Sequence, residues 1–155
     1  MSKISLLIIS CIFIFGSCKK DRLEGEKTIF KGKWNWIYSN HSYGWCENQQ
    51  ISDSISEQDV QHSYGFEFME KGKVRFISDG EKVTSHNLVF REFDEPEEGY
   101  CSINNGYEFE IYPDNESSMR IWGCVNSDTI ECSSLSFPFE TDEGCEVYWS
   151  YFVKQ

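Results

Sequence analysis

From residue 32 onward, apolar and polar side chains alternate with a period of two. In Gly32-Lys33-Trp34-Asn35-Trp36-Ile37-Tyr38 the pattern sets Trp34, Trp36 and Tyr38 on one face of a strand and Lys33 and Asn35 on the other. Tyr64, Phe66 and Phe68 then alternate with Gly65, Glu67 and Met69, and Glu70-Lys71-Gly72-Lys73 turns the chain into Val74 and Phe76, which predicts a hairpin. Ser78-Asp79-Gly80-Glu81 predicts a second tight turn, because Asp-Gly readily takes positive φ. Further strands are predicted over about 88–93, 107–112, 119–125, 129–135 and 146–153, separated by segments rich in Asp, Glu, Asn, Pro and Gly. Residues 39–63 lack the period and are expected to form a long connection containing a short helical turn. Eight strands joined by mostly short returns predict an all-β fold, an antiparallel up-and-down eight-stranded barrel. Closure removes the sheet edges, and a barrel of this size has room for one small ligand.

The first residues follow a different pattern. Lys3 precedes the largely apolar run Ile4–Phe15, which leads into Gly16-Ser17-Cys18. The run is too short to span a bilayer, which takes about 20 apolar residues, and its order is that of a secretory signal. Phe15-Gly16-Ser17-Cys18 resembles a bacterial lipobox, so residues 1–17 are expected to be a signal peptide and Cys18 the lipidated first residue of the mature chain. Residues 18–28, charged and poor in apolar side chains, are expected to be a flexible tether, and 29–155 the barrel domain. The implied location is the cell envelope, with the protein lipid-anchored to the outer membrane of a Gram-negative bacterium.

The net charge of −12 argues against nucleic acid as a partner and against docking the domain on anionic lipid. Aromatic residues make up 16% of the chain and alanine is absent, which reinforces the all-β assignment. No G-x-S-x-G, H-E-x-x-H or phosphate-loop motif occurs, so no catalytic residue, metal or cofactor is predicted. His41, His62 and His86 read as solvated loop residues, and the acidic clusters as solvated turns. Asp53-Ser54-Ile55 and Asp128-Thr129-Ile130 are similar to a short acceptor motif for O-linked glycans.

Gly32-Lys33-Trp34 at the opening of the first strand resembles the G-x-W signature of lipocalins. The chain as a whole is similar to lipocalin-like bacterial lipoproteins in its lipobox, charged tether, meander and final aromatic strand Tyr148-Trp149-Ser150-Tyr151-Phe152-Val153-Lys154. It lacks a T-D-Y-like second motif and an arginine after the last strand to cover Trp34. The resemblance implies a barrel with a central cavity for a hydrophobic molecule and no catalytic residues. Trp34, Trp36, Tyr38, Tyr64, Phe66, Phe68, Phe109 and Trp122 are the candidate cavity wall. The alternative is a solid-cored barrel whose rim, around Tyr43, Gly44, Trp45 and Cys46, binds an envelope protein or a glycan.

With Cys11 in the signal and Cys18 lipidated, five thiols remain, enough for two disulfides and one free cysteine. The meander makes the first and last strands neighbours, so Cys46 and Cys145 are expected to bond at one rim. Cys124 and Cys132, centred on Asp128, are expected across a hairpin, with Cys101 either unpaired or a competitor for Cys124.

Overall fold

The computed structural model describes residues 21–43, 54–95, 101–113, 120–134 and 146–155. The signal segment, Cys18, Cys46 and Cys145 lie outside them, as do Gly44 and Trp45 of the predicted rim. Nine strands form one antiparallel sheet: β1 (Gly32–Tyr43), β2 (Ser54–Ser56), β3 (Tyr64–Met69), β4 (Lys73–Ser78), β5 (Glu81–Asp94), β6 (Tyr107–Pro113), β7 (Ile121–Val125), β8 (Thr129–Ser134) and β9 (Glu146–Lys154). β1 pairs with β9 from Trp34↔Lys154 to Tyr43↔Glu146, which closes the sheet. On its other flank β1 pairs with β3 over Gly32–Asn35 and with β2 over Tyr38–Asn40. β2 and β3 are therefore two pieces of one interrupted stave, with the short helix α1 (Glu57–Val60) between them. The result is a closed, up-and-down, eight-stave antiparallel barrel of lipocalin-like form.

β1 holds the first correction. Its register against β9 shifts between Trp36 and Tyr38, with Ile37 as the extra residue. A bulge resets the two-residue period, so Trp34 and Trp36 point inward while Tyr38 turns outward and stacks on Tyr151, with ring centroids 4.4 Å apart. Trp122 is also on the outer face, edge-on to Trp149 at 4.7 Å. Neither Tyr38 nor Trp122 belongs to an inner wall.

The fourth predicted strand is also longer than its apolar pattern suggested. β5 starts at Glu81, and Phe76 and Val74 of β4 lie opposite Thr84 and His86. The inward positions of this half are polar, which hid the period.

One end, here called the base, is sealed by a 3-10 helix (Gly25–Phe30). Phe30 is fully buried against the rings of Phe68, Phe90, Phe93 and Phe109, at 5.0–5.9 Å between centroids. Trp34 Nε1 donates to the Phe30 carbonyl at 2.7 Å, which leaves no unpaired donor in this dry region. Lys154 Nζ donates to the Ile29 carbonyl at 2.8 Å and sits 5.0 Å from the Trp34 ring centroid. The lysine thus covers Trp34, the place for which the sequence offered no arginine.

Part of the segment expected to be a tether, from Asp21 onward, is packed on the barrel. β5 continues past its last pair with β4, Asn87↔Lys73, leaving backbone groups open on that edge. Asp21 fills the gap: its N–H donates to the Leu88 carbonyl at 2.8 Å and its Oδ2 accepts from the Phe90 N–H at 2.8 Å. Leu23 is buried in the core cluster. The chain is packed on the barrel from Asp21, not from residue 29.

The cysteine pairing across the β7–β8 hairpin is corrected as well. Cys101 and Cys124 form a disulfide with their Cα atoms 5.7 Å apart, and Cys132 is a buried free thiol. The reason is register. The hairpin turns on Ser127 and Asp128, closed by the Asn126 N–H to the Thr129 carbonyl, so Cys132 lies opposite Gly123 and Cys124 opposite Glu131. Cys124 and Cys132 therefore project from opposite faces and cannot meet. Burial pushes the Cys132 thiol pKa far up, so it stays protonated and inert.

Candidate binding site

The inner wall is packed, not hollow. A void large enough for a water molecule would leave surface on the side chains around it, yet Trp34, Trp36, Phe66, Phe109 and Phe152 are each at most 1% exposed. Phe66 touches Phe68, Phe76 and Phe152 at 4.5–5.7 Å between centroids. Trp34, Phe68 and Phe109, expected to wall a cavity, instead fill the axis at the base.

The wall is interrupted at one stave. Between the β1–β3 and β1–β2 ladders, Trp36 and Ile37 face a flank without a paired strand. A cleft of about 220 Å³ opens there, lined among others by Lys33, Asn35, Trp36, Glu57, Ser63, Tyr64 and Phe66. Three predicted ligand residues, Trp36, Tyr64 and Phe66, meet at this cleft. Each is positioned from a different direction. Trp36 Nε1 donates to Ser39 Oγ at 2.8 Å, and Ser39 Oγ lies 2.7 Å from Ser150 Oγ, a polar chain inside the barrel that fixes the indole. Tyr64 meets Trp36 edge to face at 5.7 Å. Gly65 is needed for close approach, since a Cβ there would stand 2.5 Å from the Trp34 carbonyl oxygen.

The far lip of the cleft is built by local hydrogen bonding. Ser56 caps α1, with its N–H and Oγ both bonded to Asp59 Oδ2, at 2.7 and 2.6 Å. Gln61 then leaves the helix in the left-handed region, φ 56°. The following residues are clasped to the β4–β5 turn: Asp79 Oδ1 accepts from the Ser63 N–H at 2.9 Å, and Asp79 Oδ2 lies 2.7 Å from His62 Nδ1. These contacts, led by the Ser63 N–H, hold the Asp79 carboxyl below the usual carboxylate range. The Ser56 hydroxyl does most to lower Asp59 in the same way. The lip is thus held by ionised carboxylates that already have donors. Lys33 and Glu57 supply opposite charges at the rim.

A second cluster lies on the outer face of β6 to β9 and β1. The Arg91 guanidinium stands 4.2 Å from the Tyr112 ring centroid, and Tyr112 Oη donates to Glu110 at 3.0 Å. Arg120 pairs with the same carboxylate at 2.5 Å and lies 5.4 Å from the Trp122 ring centroid. Further along, Tyr151 Oη donates to Glu131 at 2.8 Å, and Ser102 donates to the other oxygen of that carboxylate. Partial burial, aided by Glu131, pushes the Tyr151 hydroxyl up to about 12. The alternation in β9 hides this face, because Trp149 and Tyr151 share their phase with Val147 and Val153, whereas the inward phase carries Ser150.

His86 faces inward beside Thr84, with Nε2 to Oγ1 at 2.7 Å, and is not a solvated loop residue. Among the described residues no three His, Cys, Asp or Glu side chains come together as a metal site. Of the two glycan-like motifs, Ser54 is exposed on β2, whereas Thr129 is half-buried with its Oγ bonded to Asp128; Asp53 is outside the described residues.

Fold and site together define a closed lipocalin-like barrel with a filled axis, a lateral cleft and an aromatic outer face. Comparison of the chain with protein-family models, with curated proteins and with solved structures finds no match.

Proposed function

We propose that this chain is a non-catalytic, lipid-anchored protein of the cell envelope that binds a small amphipathic molecule at the lateral cleft. The observation that carries the reading is the break between β2 and β3, where the half-buried Tyr64 meets Lys33, Asn35 and Glu57 around one concavity backed by the fully buried Trp36 and Phe66. One accessible aromatic ring beside charged and amide groups gives the concavity an amphipathic lining. A volume of about 220 Å³ suits a single substituted ring. The anchor rests on Phe15-Gly16-Ser17-Cys18, and an outer-membrane location of a Gram-negative cell on the same resemblance.

Native mass spectrometry of the protein purified from its host tests the reading. The expected result is an adduct of small-molecule mass that is lost in Tyr64→Ala. A bare mass, with intrinsic tryptophan fluorescence unmoved by any small amphipath from a host extract, would remove the cleft as a binding site. The outer aromatic face supports a second reading, an adaptor for an envelope protein or a glycan, because Trp122, Trp149, Tyr38 and Tyr151 carry polar handles of the kind found at binding hot spots.

A further inference from the structure

We infer that the barrel sits base-down on phospholipid headgroups, on a leash too short to let it turn over. The inference rests on lipidation of Cys18 and adds the geometry that follows from it. Asp21 is fixed by two hydrogen bonds to the edge of β5, and Leu23 N–H reaches the Glu70 carbonyl at 3.4 Å. Here the segment crosses the β3–β4 turn in direct contact. A Cβ on Gly72 would stand 2.0 Å from the Asp21 carbonyl oxygen, so the crossing requires glycine at that position. Only Lys19 and Lys20 separate Cys18 from this fixed point. Three Cα spacings reach at most about 11 Å, so the lipidated cysteine stays within that distance of Asp21.

The barrel is much longer than the leash. β1 has 12 residues, about 40 Å of strand, or roughly 30 Å along the axis at the usual tilt. The β4–β5 turn, at the opposite end, cannot approach the membrane unless the barrel lies on its side.

Charge favours the base over the far end. Arg22, Lys31 and Lys71 meet Glu24 and Glu70 beside the leash, where a groove of about 350 Å³ is lined by Arg22, Leu23, Glu24, Lys31, Glu70 and Lys71. Within it Lys31 lies 3.1 Å from Glu70, and Arg22 3.7 Å from Glu24. Mixed charge of this kind matches the paired phosphate and amine of a zwitterionic headgroup. The far end instead presents Asp79, Glu81, Glu57 and Asp59, which phosphates repel. The net charge of −12 argues against general docking on anionic lipid, but it is unevenly spread, and the leash delivers the end where lysine and arginine are interleaved with glutamate.

The test uses the lipidated full-length protein in phosphatidylcholine vesicles that carry a headgroup spin label as quencher. A fluorophore is attached through an azide-bearing residue at position 71, in the β3–β4 turn, or at position 81, in the β4–β5 turn. Quenching several-fold stronger at 71 than at 81, and evened out by a ten-residue Gly-Ser insertion between Lys20 and Asp21, is the expected result. Equal quenching without the insertion, or stronger quenching at 81, overturns the base-down pose while leaving the anchor intact. An intact mass without acyl chains on Cys18, together with no vesicle association, overturns the anchor and the pose with it.

Discussion

The inner and outer faces of this barrel are both rich in aromatic residues, yet they are built by different rules. Every described phenylalanine, from Phe30 to Phe152, is in the core or packed against it. Tryptophan and tyrosine divide: Trp34, Trp36, Tyr64 and Tyr107 are on the inner side, while Tyr38, Tyr112, Trp122, Trp149 and Tyr151 are on the outer. A phenyl ring gains only from leaving water, so its stable position is inside. A phenol or indole also carries a donor, and on the outer face those of Tyr112 and Tyr151 are bonded to Glu110 and Glu131. The inner face therefore stores stability as packing, and the outer face holds a set of charge-linked polar contacts.

Phe30→Ala tests the inner face most severely. Phe30 is fully buried among four rings, and removing it opens a cavity at the base that the rigid barrel cannot collapse, at a cost of about 3–5 kcal/mol. Chemical denaturation monitored by tryptophan fluorescence measures the loss. A loss under about 1 kcal/mol would show that the plug is not packed as described. Second in size is the outer face's covalent tie. Replacing Cys101 and Cys124 by serine releases a loop spanning 23 residues, expected to cost about 3 kcal/mol in the chain-entropy model. Cys132→Ala should leave the disulfide intact, as peptide mapping under non-reducing conditions would show.

The same contrast explains what the sequence could and could not disclose. Periodicity located the eight staves because most inward positions are Phe, Ile, Val or Trp, and it failed where an inward position is polar, at Thr84 and His86. Three local events escaped it. A single bulge at Ile37 moved Tyr38 to the other face, and a two-residue turn at Ser127-Asp128 placed Cys124 and Cys132 back to back. The third was Asp21, whose partners are backbone groups 67 and 69 residues away on β5 and leave no local trace. Of the cleft only its three aromatic residues Trp36, Tyr64 and Phe66 were legible, since its existence depends on where β2 stops and β3 begins.

Tyr151 gives a smaller effect with a defined pH signature. Its folded-state pKa is raised from 10.0 to about 12, chiefly by burial and then by Glu131, so ionisation is easier in the unfolded chain. The stability it contributes is complete below pH 10 and is lost as pH rises through about 12. Tyr151→Phe removes the hydrogen bond to Glu131 at a cost of about 1 kcal/mol at neutral pH and should flatten the decline between pH 10 and 12. Melting temperatures of the two proteins across that range measure both. Parallel curves would mean that the Tyr151–Glu131 contact is not formed in solution.

The smallest stability effect belongs to the place where the two faces meet. Glu57 is exposed on α1 at the mouth of the cleft, away from the packed axis, so Glu57→Gln should change stability by no more than about 0.5 kcal/mol. Its effect on the cleft should be out of proportion to that. The change keeps the size and hydrogen-bonding ability of the side chain and removes only its charge, leaving Lys33 without an opposite charge at the rim. Occupancy by a cationic or zwitterionic amphipath should therefore fall and that by an anionic one rise, read as relative adduct intensity in native mass spectra. If both are unchanged, Glu57 does not face the ligand and recognition belongs to the outer aromatic face. If Tyr64→Ala abolishes adducts that Glu57→Gln only redistributes, Tyr64 holds the molecule and the rim selects its charge, so at the break in the stave the inner rule and the outer rule act on the same ligand.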